Sequence, residues 1–277
     1  MLNAEDTIGD QLQALANQSC DVSWEVIVAD NGSTDGSRGV VARFAERLPG
    51  LHIVDASGAR GASHARNAGA AAASGAFLVF VDADDVVAPG WLQAMMDAAA
   101  RGADFIGGTI DYVALRAGPR QAQLDVLAEL PVLLDFLPWT LSGNCGVRRR
   151  VFEAVGGWDT SFERGEDVAF SWSAQLAGYQ LEFVPEAILF CRLRGDLRSM
   201  WRQEVGNGEL VPHLLKVYGE YGAKRAPLPR AAKRLLKLFA GAPVLLLTAT
   251  GRRRWLRRLA LEFGRVRGSI RWRVFCP

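Results

Sequence analysis

The chain has 277 residues, 49% of them hydrophobic, which is enough for one sizeable core with a small appendage. Its formal charge of +2 hides an asymmetry: residues 1–223 carry 17 Lys and Arg against 29 Asp and Glu, whereas residues 224–277 carry 15 Lys and Arg against the single acid Glu262. Four cysteines (Cys20, Cys145, Cys191, Cys276) without CxxC spacing and three scattered histidines argue against a disulfide framework or a zinc site, and with no signal peptide visible they favour a reducing, cytosolic setting.

In chain order, Ile8, Leu12 and Leu15 recur on one face of a helix over 7–18, with Asp6 or Thr7 as its cap. Residues 24–29 read as a buried strand, closed by the turn formers Asp30, Asn31, Gly32 and Ser33. A helix over 36–48, a short strand over 51–54 and an Ala-rich helix over 64–73 follow. The almost wholly apolar run 77–81 reads as a strand covered on both faces, and Pro89 introduces a helix over 91–100. This alternation predicts an α/β fold on a doubly wound, mostly parallel sheet flanked by helices. Beyond residue 104 the alternation stops. Residues 104–115 are strand-like, and 121–137 are apolar but interrupted by proline. Short helices are expected over 149–155 and 166–177. Pro185 splits 181–190 into two short strands, and 197–221 is mostly helical.

Two acidic clusters carry the chemistry. Asp82, Asp84 and Asp85 close the strand over 77–81, at the strand edge where an α/β sheet usually binds its ligand. Carboxylates one residue apart can aim at one hard cation; capping the next helix is the competing use. Glu166 and Asp167 open a helix after the loop 159–165, where a carboxylate can serve as a base or simply favour the helix dipole. Metal plus base is a transferase or hydrolase arrangement. Asp30 can accept an N–H from a bound base or stabilise its own turn. Arg66 points to a phosphate, to a carboxylate or to solvent. Trp158 offers a stacking face or fills core. For Arg192, Arg194 and Arg198, salt bridges to the acidic body are preferred over a part in covering the site.

Five stretches resemble, in order and spacing, family 2 glycosyltransferases with the GT-A fold. They are Val28 to Ser37, Ala65 to Gly69, Asp82 to Asp85, Gly156 to Asp159, and Glu166 with Asp167; the likeness covers roughly residues 3–210. It implies a nucleotide-diphospho-sugar donor and an inverting transfer to the hydroxyl of a glycan or lipid-linked acceptor. Asp167 would be the base, with Glu166 orienting its loop. Asp30 and Asn31 would meet the nucleotide base, Arg66 the phosphates, and Asp82 the ribose or the metal. Asp84 would be the principal ligand of Mg²⁺ or Mn²⁺, an ion that suits an all-oxygen set. Gly143, Asn144 and Trp158 would lie beside the donor sugar. Residues 1–115 would then form a nucleotide-sugar half, 116–223 an acceptor half of the same domain, and 224–277 a basic helical tail.

The chain departs from the family at its start. Asn3 takes the place of an Asn that normally ends an opening strand, and that strand is central, between those over 24–29 and 77–81. An interrupted sheet is therefore expected, with the helix over 7–18 weakly anchored at its start. A sugar nucleotidyltransferase or a non-catalytic, membrane-associated relative are the alternative readings. A dinucleotide oxidoreductase lacks its GxGxxG after a strand. In the tail, the apolar stretch 238–250 contains Pro243 and is too short to span a bilayer. Its basic amphipathic character suits an anionic membrane surface, peripheral at the cytoplasmic face, and this is favoured over nucleic acid.

Overall fold

The computed structural model describes residues 1–112, 115, 126–192, 197–240 and 247–276. They fall into two compact units, Met1–Pro131 with Pro138–Leu193, and Val132–Leu137 with Arg194–Pro277. The expected strand and loop residues at 113–114 and 116–125, Arg194, and residues 241–246 of the apolar stretch in the tail lie outside the described residues.

The first unit opens with α1 (Ile8–Ala16), which buries Ile8, Leu12 and Leu15 as its spacing requires. Its start is held firmly, against expectation. The Asn3, Ala4 and Glu5 amides donate to Ser33 Oγ, Ser37 Oγ and Asp35 Oδ2. The hydroxylated and acidic residues of the turn after the first strand supply these anchors. That strand, β1 (Ile27–Asp30), leads through α2 (Ser37–Ala42) to β2 (His52–Asp55), and the two pair in parallel from Ile27–His52 to Asp30–Asp55.

After α3 (Ala62–Ala72) the chain enters a second, six-stranded sheet. It comprises β3 (Phe77–Val81), β4 (Val86–Val87), β5 (Phe105–Asp111), β6 (Val126–Leu127), β7 (Asn144–Arg148) and β8 (Leu181–Phe190), with α4 (Trp91–Ala100) between β4 and β5. Its order is β3-β7-β5-β8-β4, with β6 on β5. The strands at 27–30 and 77–81 thus lie in separate sheets, as an interrupted sheet requires. Met1 runs beside the end of β1: its amino group donates to Ala29 O at 2.7 Å, and its carbonyl accepts from Asn31 N at 2.8 Å.

The expectation of mostly parallel pairing is corrected in this sheet. β5–β8 is parallel, but β3–β7, β5–β7, β5–β6 and β4–β8 are antiparallel. The cause is β7, which inserts between β3 and β5 and runs opposite to both; parallel pairs need the strand–helix alternation that stops near residue 104. β8 is likewise one strand of 10 residues rather than two. Pro185, which cannot donate to a ladder, is taken up in a register shift where Gly108 opposite Val184 is followed by Thr109 opposite Ile188.

Period-two alternation on β3 shows why its run is wholly apolar. Leu78 and Phe80 join Phe105, Phe152, Trp158 and Phe170 on one face. Phe77, Val79 and Val81 face the larger core of Leu12, Val41, Trp91, Met95 and Ile106. α5 (Arg149–Ala154) and α6 (Glu166–Leu176) cover the Trp158 face.

The second unit is helical: α7 (Leu197–Tyr218), α8 (Leu228–Ala240) and α9 (Ala249–Trp272). α7 and α9 approach so closely that a Cβ on Gly208 would strike the Leu261 carbonyl, and one on Gly264 the Val205 carbonyl. Arg257 pairs with Glu204 at 2.6 Å and Arg267 with Glu209 at 2.8 Å along the same seam. Among the described residues, no helix is long and apolar enough to cross a membrane.

Candidate active site

The site forms where β3, β7 and α6 meet. β3 delivers Asp82 to the sheet edge, and the turn beyond it adds Asp84 and Asp85. One carboxylate oxygen from each lies within 4.8 Å of the others. Burial first, then Asp84 and Asp82, pushes the Asp85 pKa up to about 7. Three converging carboxylates match the oxygen set of a hard divalent cation, so these residues fit Mg²⁺ or Mn²⁺. Arg192 fixes this turn. Its amide donates to Asp85 Oδ1 at 2.7 Å, its Nε to Asp84 O at 3.0 Å and its Nη2 to Asp10 Oδ2 at 3.0 Å. The salt-bridge reading therefore holds for Arg192.

Arg66 on α3 joins this cluster to α6. Its Nη2 donates to Asp82 Oδ1 at 2.6 Å, its Nη1 donates to Glu166 Oε1 at 3.0 Å, and the guanidinium lies 5.5 Å over the Trp158 ring. Burial works against its charge, but the two carboxylates outweigh burial and hold its pKa above the ordinary arginine value. Of the open alternatives, Arg66 takes the carboxylate partners. Gly143 passes so close to Asp82 that a Cβ would lie 2.7 Å from Asp82 Oδ2. Only glycine lets the turn before β7 reach this point without displacing the carboxylate.

Asp167 follows Glu166 in the first turn of α6. Burial raises its pKa, and the Glu166 charge adds to the shift; Val168 N donates to its Oδ1 at 2.8 Å. A carboxylate with raised affinity for a proton is a better base than an ordinary aspartate.

The remaining expected residues lie behind this surface. Asp30 is buried and accepts from Ser33 N at 3.0 Å and Arg38 Nη1 at 3.1 Å. Asn31 holds the 56–61 loop: its amide donates to Ala56 O and Ala59 O, and its Oδ1 accepts from Gly61 N. Asn144 is fully buried. It accepts from Trp91 Nε1 at 2.7 Å and donates to Thr109 O and Ala187 O, which spends its amide inside the protein. Trp158 is 2% exposed and stacks on Phe170 at 4.5 Å. It is core, not a face presented to a sugar. Tyr112 escaped the sequence reading. Burial, with charge from Cys191, Asp85 and Asp167 adding to it, holds its hydroxyl neutral. Nothing in its local sequence marks it; only the end of β5 places it there.

Comparison with known proteins supplies the frame. A model of the family described as Glycosyl transferase family 2 matches residues 1–156. Glycosyltransferase AglE of Haloferax volcanii is 29% identical over 219 residues, 77% of this chain and 72% of that protein. Succinoglycan biosynthesis protein ExoO of Rhizobium meliloti is 31% identical over 202 residues, 67% of this chain and 56% of that one. Among solved structures, the mannosyltransferase PcManGT of Pyrobaculum calidifontis, in complex with GDP-Man and Mn²⁺, superposes with a TM-score of 0.62 at 18% identity, covering 97% of this chain and 84% of that chain. TarS of S. aureus in complex with UDP-GlcNAc gives 0.55 at 18% identity, covering 98% and 89%. The shared architecture is the GT-A fold.

Proposed function

This chain belongs to glycosyl transferase family 2, and from that premise we propose that it moves a sugar from a nucleotide-diphospho-sugar donor to an acceptor hydroxyl with inversion. PcManGT binds GDP-Man with Mn²⁺ and TarS binds UDP-GlcNAc, which supports a donor of this chemical class. Asp30, buried in its turn and held there by Ser33 and Arg38, shapes the pocket for the nucleotide base, with Asn31 holding the loop beside it. Asp82 and Asp84, with Asp85 beside them, hold a divalent cation, which when bound offsets charge developing on the diphosphate. Gly143 keeps the donor side of the cleft open.

Asp167 takes the proton of the acceptor hydroxyl. The acceptor oxygen then bonds to the anomeric carbon as the bond from that carbon to the diphosphate oxygen breaks, and the nucleoside diphosphate leaves with the bonding electrons. Glu166 does not react; it holds Arg66 and so the start of α6. The acceptor is a glycan or a lipid-linked hydroxyl, and a cytoplasmic enzyme resting at the inner membrane face meets the latter.

The single observation that carries this reading is the Arg66 bridge, 2.6 Å to Asp82 and 3.0 Å to Glu166, which puts the donor acids and the base-bearing helix on two sides of one cation. The test is release of nucleoside diphosphate by the full chain from a panel of UDP- and GDP-sugars with Mn²⁺ and candidate acceptors. Release that Asp167→Asn abolishes supports the reading. Turnover of nucleoside triphosphate and sugar phosphate to pyrophosphate would replace it with a nucleotidyltransferase.

A further inference from the structure

We infer that α8 docks this protein on an anionic lipid bilayer, inserting Leu228, Leu235, Leu236 and Phe239. On a helix these positions fall on one stripe, and they are 63%, 41%, 67% and 63% exposed. The stripe is not the side that folding uses. Ala231 and Leu238, each 3% exposed, face inward, where Trp255 Nε1 of α9 donates to Leu238 O at 3.0 Å and Arg234 pairs with Glu262 at 2.5 Å. Scattered apolar residues on a surface are ordinary; four large ones along one helix face are not.

Charge decides what covers them. α8 carries Arg230, Lys233, Arg234 and Lys237 and no acid. Glu262, the one acid of residues 224–277, is already engaged by Arg234 and by Arg265 at 3.0 Å. On α8, Arg230 pairs with Asp135 at 3.4 Å, which leaves Lys233 and Lys237 as the cations that residues 224–277 hold no further acid to balance. A second copy of the chain would bring two such basic faces together, and like charges oppose that contact. A nucleic acid would meet the cations but leave three leucines with no partner. An anionic bilayer takes both. The stripe enters the acyl boundary, while Lys233 and Lys237 reach back to phosphates along their aliphatic stems. This inference stands whether or not the transferase reading holds.

The experiment is flotation of the full chain with vesicles of phosphatidylcholine alone or with about one third phosphatidylglycerol, at low and high salt. The protein should float with the anionic vesicles, not the neutral ones, and less as salt rises. Leu236→Glu with Phe239→Glu should lower partitioning by at least about tenfold, with circular dichroism and melting unchanged because both side chains stand in solvent. Lys233→Glu with Lys237→Glu should weaken binding as well. Absence of flotation overturns the inference, and so does wild-type flotation by the double-Glu variant. A dimer that this variant splits assigns the face to a second copy instead, and capture of single-stranded RNA in preference to vesicles assigns it to nucleic acid.

Discussion

Asp82 and Glu166 share one guanidinium: Arg66 donates to the first at 2.6 Å and to the second at 3.0 Å, with its own side chain only 12% exposed. Two carboxylates from distant parts of the chain are thereby held at one point, and removing the cation would leave them facing each other with partial burial. Arg66→Met is expected to cost about 2–3 kcal/mol of stability, below the range for a fully buried pair because Asp82 opens to the cleft. Urea unfolding measures it. Arg66→Lys should recover part of the stability but not the simultaneous grip on both acids.

The acidic cluster predicts a metal-dependent nucleotide affinity. Asp84→Ala should abolish the gain that Mn²⁺ gives to nucleotide binding while leaving the melting temperature nearly unchanged. Gly143→Ala should weaken the same affinity by about tenfold, or 1.4 kcal/mol, because its methyl displaces Asp82. Calorimetry with and without Mn²⁺ reads both, and equal affinities in wild type and Asp84→Ala would remove the cluster from the donor site.

Asp167 predicts both a rate and a pH dependence. Asp167→Asn should lower turnover by about 10²–10⁴ with donor affinity retained. Because burial and Glu166 raise its pKa, the acid limb of the wild-type rate profile should lie above the ordinary carboxylate value of about 4 and vanish in the variant. The stability sign is opposite to that of a salt-bridged aspartate. The protonated form suits the fold, so stability is full below the ordinary value and falls as pH rises through the raised one. Asp167→Asn should therefore be more stable than wild type at pH 8 and no more stable at pH 4.

Trp158 separates core from site. Trp158→Ala should destabilise by about 3–5 kcal/mol, since the ring is buried against Phe80 and Phe170. At temperatures where the variant is folded, KM for the donor should stay within a few-fold of wild type. A large KM change with unaltered stability would put the ring at the sugar.

The first hundred residues were legible because there each element carries its own signal. The apolar run at 77–81 and the glycine-rich turn after Asp30 are local patterns with local causes. The direction of β7 was not legible, because antiparallel insertion between β3 and β5 is decided by partners far away in sequence. Asn144 and Trp158 illustrate the other limit. Asparagine after a Ser-Gly turn and tryptophan after Gly-Gly look the same in sequence whether they face a ligand or the core. Three hydrogen bonds turned one inward, and Phe80, Phe152 and Phe170 the other. Arg66 lay between these cases: its motif marked it as consequential, but only the fold could say that its partners are Asp82 and Glu166.

The glycine seam between α7 and α9 has a consequence for energy rather than shape. Helices whose backbones meet at Gly208 and Gly264 are clamped at close range, and carbonyl oxygens there oppose Cα–H groups, a contact that adds weak attraction. The arginines of α9 are thus mounted on a rigid bar instead of strung along a floppy arm. A flexible polybasic segment gives up conformational freedom on each landing. This one has surrendered that freedom in folding, so an ordering cost that a disordered arm would meet on contact has already been met.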